Sequence, residues 1–243
     1  MVVATMLSAN AKTPPSSIFD KPLDRYVVAL PADKDNPQAK LKRSCFYYPD
    51  FMVKEIDLGE PGAERLSFTP LASDRKQAKC VADNQREIAI KSDDWSGYFD
   101  GMKGNFAFFD ADDGHEGGMP FAVFTPAAKK LFEDIRQGDD FNAIHLTGDT
   151  LTMRYRRVFV APCSLYSDAR GCWDKIVGTT ALAQSARPDC AKPYEEEMKR
   201  TPKFAKDLRN AKSVIAYDVT AAYVHDKLTF APSGGSVGCW LED

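Results

Sequence analysis

"NFAFFDADDGHEGGMPFAVFTPAAKKLFEDIRQG", residues 105–138, holds the reading on which the fold turns. Two apolar runs, 105–109 and 120–124, flank a polar stretch rich in aspartate and glycine. Short apolar runs bounded by turn residues read as strands. From Thr125 to Gly138 the signals change. Thr125 suits an N-cap, Pro126 the first helical turn and Gly138 the C-terminal cap. Ala128, Leu131, Phe132 and Ile135 share one face at helical spacing, which predicts an amphipathic helix over 126–137. The competing reading makes "KKLFED" a strand after a turn.

Outward from this stretch the chain is mostly strand. "RYVVAL" (25–30), "LKRSCFYY" (41–48), "FMVKEIDL" (51–58), "ERLSFTPL" (64–71) and "REIAIK" (86–91) are short apolar or alternating runs, and Pro49-Asp50 supplies a turn. "LTMRYRRVFVAP" (151–162) is the longest strand candidate, with Leu151, Met153, Tyr155, Arg157 and Phe159 on one face. A helical insertion near 172–211 follows, which Pro202 breaks in two. "SVIAYDVTAAYV" (213–224), "KLTFA" (227–231) and "SVGCWLED" (236–243) return to strand. This order lacks the βαβα alternation of a doubly wound sheet. It predicts a β-rich, mostly antiparallel α+β fold with a sandwich- or barrel-like sheet, residues 25–243 forming a single β-rich domain.

The chain has 243 residues, 44% of them hydrophobic, and a formal net charge of −3. A general nucleic-acid binder carries positive charge to replace counterions on phosphates, so that class is disfavoured. No apolar run approaches the roughly 18 residues that a membrane-spanning helix needs. Residues 1–24 read as a signal remnant and flexible N-terminal tail. "MVVATMLSANAKTPPSS" opens uncharged and turns polar, and Ala9-Asn10-Ala11 has the small-x-small form of a signal-peptidase site, although the apolar part is short and a basic start is missing. Export, periplasmic or secreted, is the expectation. The six cysteines form no C-x-x-C pair, and in an exported chain they suggest three disulfides. Cys163 and Cys172 flank a polar loop and are paired; Cys45–Cys80 and Cys190–Cys239 complete the set.

Residues 110–119, "DADDGHEGGM", are longer than a hairpin connection needs. Asp110, Asp112, Asp113 and Glu116 supply the hard oxygens that Ca²⁺ takes, and Ca²⁺ is the one cofactor the sequence offers. The EF-hand spacing fails, and aspartate and glycine are also ordinary turn formers. His115 and Glu116 suit acid–base chemistry. His145 and His225 belong to a strand and a hairpin turn, and H-E-x-x-H is absent.

"KSDDWSGYFDG" (91–101) sets Asp93, Asp94 and Asp100 around Trp95, Tyr98 and Phe99. Carboxylates beside aromatics are the raw material of a carbohydrate site, and of a surface loop whose rings plug the core. Arg154 and Arg156 share a strand face and can hold a carboxylate or phosphate, or pair with cross-strand acids. Ser73 and Lys76 have S-x-x-K spacing without its supporting motifs, and nucleotide-binding motifs are missing. With Asp94, Asp100, His115 and Glu116 as catalytic candidates and Trp95, Tyr98, Arg154 and Arg156 as ligand-binding ones, two functions are in view. The first is an exported, disulfide-stapled binding or inhibitor module of the bacterial-envelope type, with a protein or glycan ligand. The alternative is a secreted hydrolase of carbohydrate or cell-wall polymer that uses paired carboxylates.

Overall fold

The computed structural model describes residues 18–32, 40–59, 61–63, 65–71, 79–138 and 140–242. The A-x-A site and the Ser73/Lys76 pair lie outside these. The first five strands, β1 (Asp24–Ala29), β2 (Lys42–Tyr47), β3 (Phe51–Asp57), β4 (Arg65–Pro70) and β5 (Ile88–Ala89), form an antiparallel meander in chain order, here called sheet A. Sheet B contains β6 (Gly97–Lys103), β7 (Phe106–Ala111), β8 (Met119–Phe124), β9 (Lys130–Arg136), β10 (Ala143–Thr147), β11 (Thr150–Val160), β12 (Ser213–Val224), β13 (Lys227–Pro232) and β14 (Gly238–Leu241). Its path is β13-β12-β11-β9-β8-β7-β6, with β10 added to β11 and β14 to β12. The fold is β-rich α+β, as its sequence predicts.

The two apolar runs of the opening stretch are continuous because both of their faces are buried. On one face Ala107, Phe109, Ala122 and Phe124 pack with Phe51, Val53, Leu66 and Phe68 of sheet A. On the other, Phe108, Phe121 and Val123 join Phe141, Met153, Tyr155 and Tyr217. Sheet B curls to enclose this second core: Phe106 and Phe132 both meet the Tyr223 ring. β10 comes alongside β6, yet among the described residues no ladder joins them, so the barrel does not close.

The helix over 126–137 is a correction: the segment is a turn followed by β9. Pro126 begins a tight loop in which the Ala128 amide donates to the Thr125 carbonyl and the Thr125 amide donates to the Lys129 carbonyl, with Ala128 at φ 56°. The register then slips between Val123 and Phe124, so Leu131 and Phe132 both reach the core. This bulge imitates helical spacing. It hides the true alternation, in which Phe132, Asp134 and Arg136 point inward and two of the three are charged.

The helical insertion is present. α1 (Ala169–Thr180) is capped by Asp168, whose carboxylate accepts the Gly171 N–H at 2.9 Å. α2 (Ala191–Arg200) ends before Pro202, and a 3₁₀ turn leads to α3 (Ala205–Leu208). Trp173, Ile176 and Tyr194 from these helices complete the larger core.

The structure contains the three disulfides Cys45–Cys80, Cys163–Cys172 and Cys190–Cys239, the pairs read from the sequence. Cys45 and Cys163 are therefore not available as nucleophiles. Cys45–Cys80 works with the fully buried Lys54 to pin residues 79–87 over sheet A. The Lys54 ammonium donates to the Ala82 carbonyl at 2.7 Å, to the Val81 carbonyl at 3.3 Å and to the Glu87 carboxylate. Residues 18–20 pack against sheet B. Phe19 inserts beside Phe108 and Phe141, and the Asp20 amide donates to the Met102 carbonyl on the β6 edge. One aromatic ring in the core outweighs the polar composition around it.

Candidate functional site

Two features stand out from this scaffold: a charged network inside sheet B, and an edge strand of sheet A whose outer side no described strand covers.

The network begins with the inward charges of β9. Arg136 has a fully buried side chain; its Nη2 donates to Asp110 Oδ2 at 2.7 Å and lies 3.8 Å from Asp100 Oδ2. The guanidinium sits 4.9 Å from the Phe141 ring centroid. Two residues earlier, Asp134 accepts both a forked contact from Arg157 Nε, at 2.9 and 3.1 Å, and the Tyr155 hydroxyl. Arg157 Nη1 donates to the Tyr217 hydroxyl at 3.1 Å, and its guanidinium stacks 3.8 Å over Phe230. Burial raises the carboxyl pKa of Asp134 against the pull of Arg157, and burial raises that of Asp100 against Arg136, with Asp140 adding to the rise.

These shifts have a sign. A carboxyl that holds its proton more tightly when folded adds stability at low pH. That contribution is lost as pH rises from the ordinary carboxylate value through the folded one. Asp100→Asn keeps the neutral form at every pH. It is expected to raise Tm at pH 7 by about 1 to 3 °C and to have no such effect below the ordinary carboxylate range. Asp110→Asn removes the close partner of a buried guanidinium and is expected to cost about 2 kcal/mol at pH 7. Thermal melts of both variants from about pH 2.5 to 8 check the contrast; a destabilised Asp100→Asn at neutral pH contradicts it.

The remaining sequence candidates scatter. Asp112 and Asp113 are exposed beyond the end of β7, and Asp113 Oδ1 accepts the next amide at 2.7 Å. His115 and Gly118 bond to each other through both backbone groups, closing a two-residue turn over Glu116 and Gly117 at φ 50° and 74°. Gly118 has no room for a side chain: a Cβ there falls within 2.6 to 2.9 Å of Ile135, Val158 and the Arg136 carbonyl. The Trp240 indole N–H donates to the Glu116 carbonyl at 3.1 Å and docks this turn on the C-terminal strand. The long connection is thus an extended hairpin end. The positive charge beside Asp110 comes from Arg136. Among the described residues no three His, Cys, Asp or Glu side chains gather where they could hold a metal ion.

Asp94 is exposed, while Trp95 and Tyr98 pack toward the core between the sheets, away from the Arg136 network. The Tyr98 hydroxyl accepts the Gly62 amide at 3.1 Å. Arg156 takes the cross-strand role: its Nη1 lies 3.4 Å from Asp218, its register partner, and its Nε donates to Gln137 at 2.8 Å. Arg154 is exposed opposite Thr220. Asp100 and Asp110 are the only two of the carboxylates considered that the described structure brings to a shared charge.

No family model, curated protein or solved structure matches the chain.

The second feature is β1. All six of its residues are exposed, Tyr26 at 51% and Val27 at 54% of their full accessible surface. Its register with β2 is unbroken from Asp24↔Tyr47 to Ala29↔Lys42. The Leu30 amide continues that register by donating to the Leu41 carbonyl at 2.9 Å. Antiparallel ladders alternate, so the even residues of β1 bond to β2 and the amides and carbonyls of Arg25, Val27 and Ala29 face outward. The two ends of the sheet B path are protected. β6 carries a bulge between Phe99 and Gly101 and receives the Asp20 amide, while β13 begins at Lys227 and ends at Pro232. From Tyr26 to Ala29, β1 has neither charge, proline nor bulge.

Sequence reading found β1 as a strand and not as a surface. An apolar run on an open edge looks the same as one buried on both faces, which is how β7 and β8 are written. Arg157 and Asp134 were missed as a pair. The available signal was Arg157 itself, a charge at an inward position of β11.

Proposed function

We propose that the chain is an exported, disulfide-stapled binding module that takes a protein partner by strand addition along β1. The observation that carries this reading is the uncharged edge from Tyr26 to Ala29, exposed on both faces and paired, among the described residues, with β2 alone. An extended segment laid along it gains main-chain bonds from Arg25, Val27 and Ala29 and places alternate side chains beside Tyr26 and Val28 or beside Val27. Three disulfides fit the oxidising periplasmic or extracellular space in which such a module works. They also hold the scaffold, so that a partner meets a preformed edge.

Val27→Pro tests this. The Val27 amide points away from β2, so proline removes no intramolecular ladder bond and blocks the outward one. On an array of short extended peptides with alternating apolar side chains, the wild-type protein is expected to bind a subset, and Val27→Pro to lose that binding at least tenfold. Equal binding by both proteins contradicts strand addition at β1.

A hydrolase is the second reading, supported by the convergence of Asp100 and Asp110 on Arg136. A raised carboxyl beside an ion-paired one is a workable acid and base pair. The aromatic residues that would stack on a sugar, Trp95 and Tyr98, pack into the other core. Glycan hydrolysis abolished by Asp100→Asn would favour this reading over the first.

A further inference from the structure

Resting on the strand-addition reading, we infer that the occupant of the β1 edge is a second copy of the chain, paired antiparallel about a two-fold axis through Val27.

The edge is complementary to itself. Its outward groups belong to Arg25, Val27 and Ala29, which are symmetric about Val27. Antiparallel pairing of two such strands in one register brings Val27 opposite Val27 of the partner copy and Arg25 opposite Ala29. Every outward amide then meets a carbonyl, which leaves none of the edge's groups unused. A register shifted by two residues in either direction leaves outward groups at the strand ends without partners. A shift by one opposes outward groups to inward ones and forms no ladder.

Side chains agree with this register. Tyr26 comes opposite Val28 of the partner copy on one face, an aromatic and β-branched pair of the kind that stabilises antiparallel ladders, and the pair occurs twice. On that face Tyr26 already lies edge-on to Tyr47, at 5.6 Å between centroids, so its ring is held for the contact. On the other face Arg25 lies over the Phe46 ring at 5.0 Å, which keeps its charge over its own sheet and beside the small side chain of the partner's Ala29. No charged residue of β1 meets a like charge directly across the pair. The two meanders become one continuous sheet, and the exposed Val27 and Tyr26 surfaces leave water. A six-residue strand pair is smaller than the roughly 800 Å² per partner of a standard interface. The dimer is therefore a weak, concentration-dependent one.

Sedimentation equilibrium on the disulfide-intact chain, from about 5 to about 500 µM, tests the inference in the affinity range of a small interface. The wild type is expected to move reversibly from one to twice the chain mass. Val27→Pro is expected to stay monomeric, with Kd raised at least tenfold. Val27→Lys, which sets two ammonium groups against each other at the axis, is expected to do the same and serves where proline impairs folding. A wild type that dimerises equally well with either substitution uses another surface, and the inference is overturned. A wild type monomeric throughout, with peptide binding that Val27→Pro removes, overturns the second copy and leaves strand addition standing. Monomeric protein without Val27-dependent peptide binding overturns both.

Discussion

Asp134→Ala is expected to destabilise the protein by about 3 to 5 kcal/mol at neutral pH, the cost of stripping one partner from a buried ion pair. Asp134 is held by Arg157 and by the Tyr155 hydroxyl on the inner face of sheet B. Without it, the guanidinium keeps the Tyr217 hydroxyl and the Phe159 and Phe230 rings but no carboxylate, and Tyr155 loses its acceptor. The penalty comes from the charge left behind. Asp134→Ala combined with Arg157→Met is accordingly expected to recover part of the loss, a coupling that a double-mutant cycle reads directly. Urea unfolding of the two single variants and the double variant measures it. A single substitution costing under about 1 kcal/mol contradicts the buried pair as described.

Removal of the Cys190–Cys239 bridge by serine at both positions is the other large effect, about 4 kcal/mol in the chain-entropy treatment. The bridge spans 49 residues, against 35 for Cys45–Cys80 and 9 for Cys163–Cys172. Loss of stability is expected to follow that order. Cys190–Cys239 also ties the start of α2 to β14, where Cys239 lies opposite Ile215 and Trp240 holds the Glu116 turn. Limited proteolysis of the double serine variant is therefore expected to cut first within 181–211. Equal Tm losses on opening each bridge singly would contradict the ordering.

How much of this was legible in the sequence differs by feature, for physical reasons. Turn residues and alternation marked the strands, and the spread of six cysteines in a chain without C-x-x-C marked the disulfides. The error at 126–137 came from a bulge that places Leu131 and Phe132 together on the core and from two inward charges that break the alternation. Local spacing cannot report a partner on another strand, and both charges are inward only because Asp110 and Arg157 meet them there. The same limit applies to the candidate sites. Asp100 and Asp110 were singled out as carboxylates, but what gathers them is Arg136, which lay inside the segment read as a helix. For β1, composition carried no signal at all, since exposure is a property of what the rest of the chain leaves uncovered.

The most direct test of the β1 edge is amide hydrogen exchange read residue by residue along Asp24–Leu30. In dilute protein the Tyr26, Val28 and Leu30 amides, bonded to β2, are expected to exchange slowly, and those of Arg25, Val27 and Ala29 to exchange fast. On raising the protein concentration, or on adding a peptide that binds in a Val27-dependent way, the fast set is expected to become protected while the slow set changes little. Uniform protection of all six amides in dilute protein would show an edge already covered. Persistent fast exchange of Val27 with binding partner present would contradict strand addition outright.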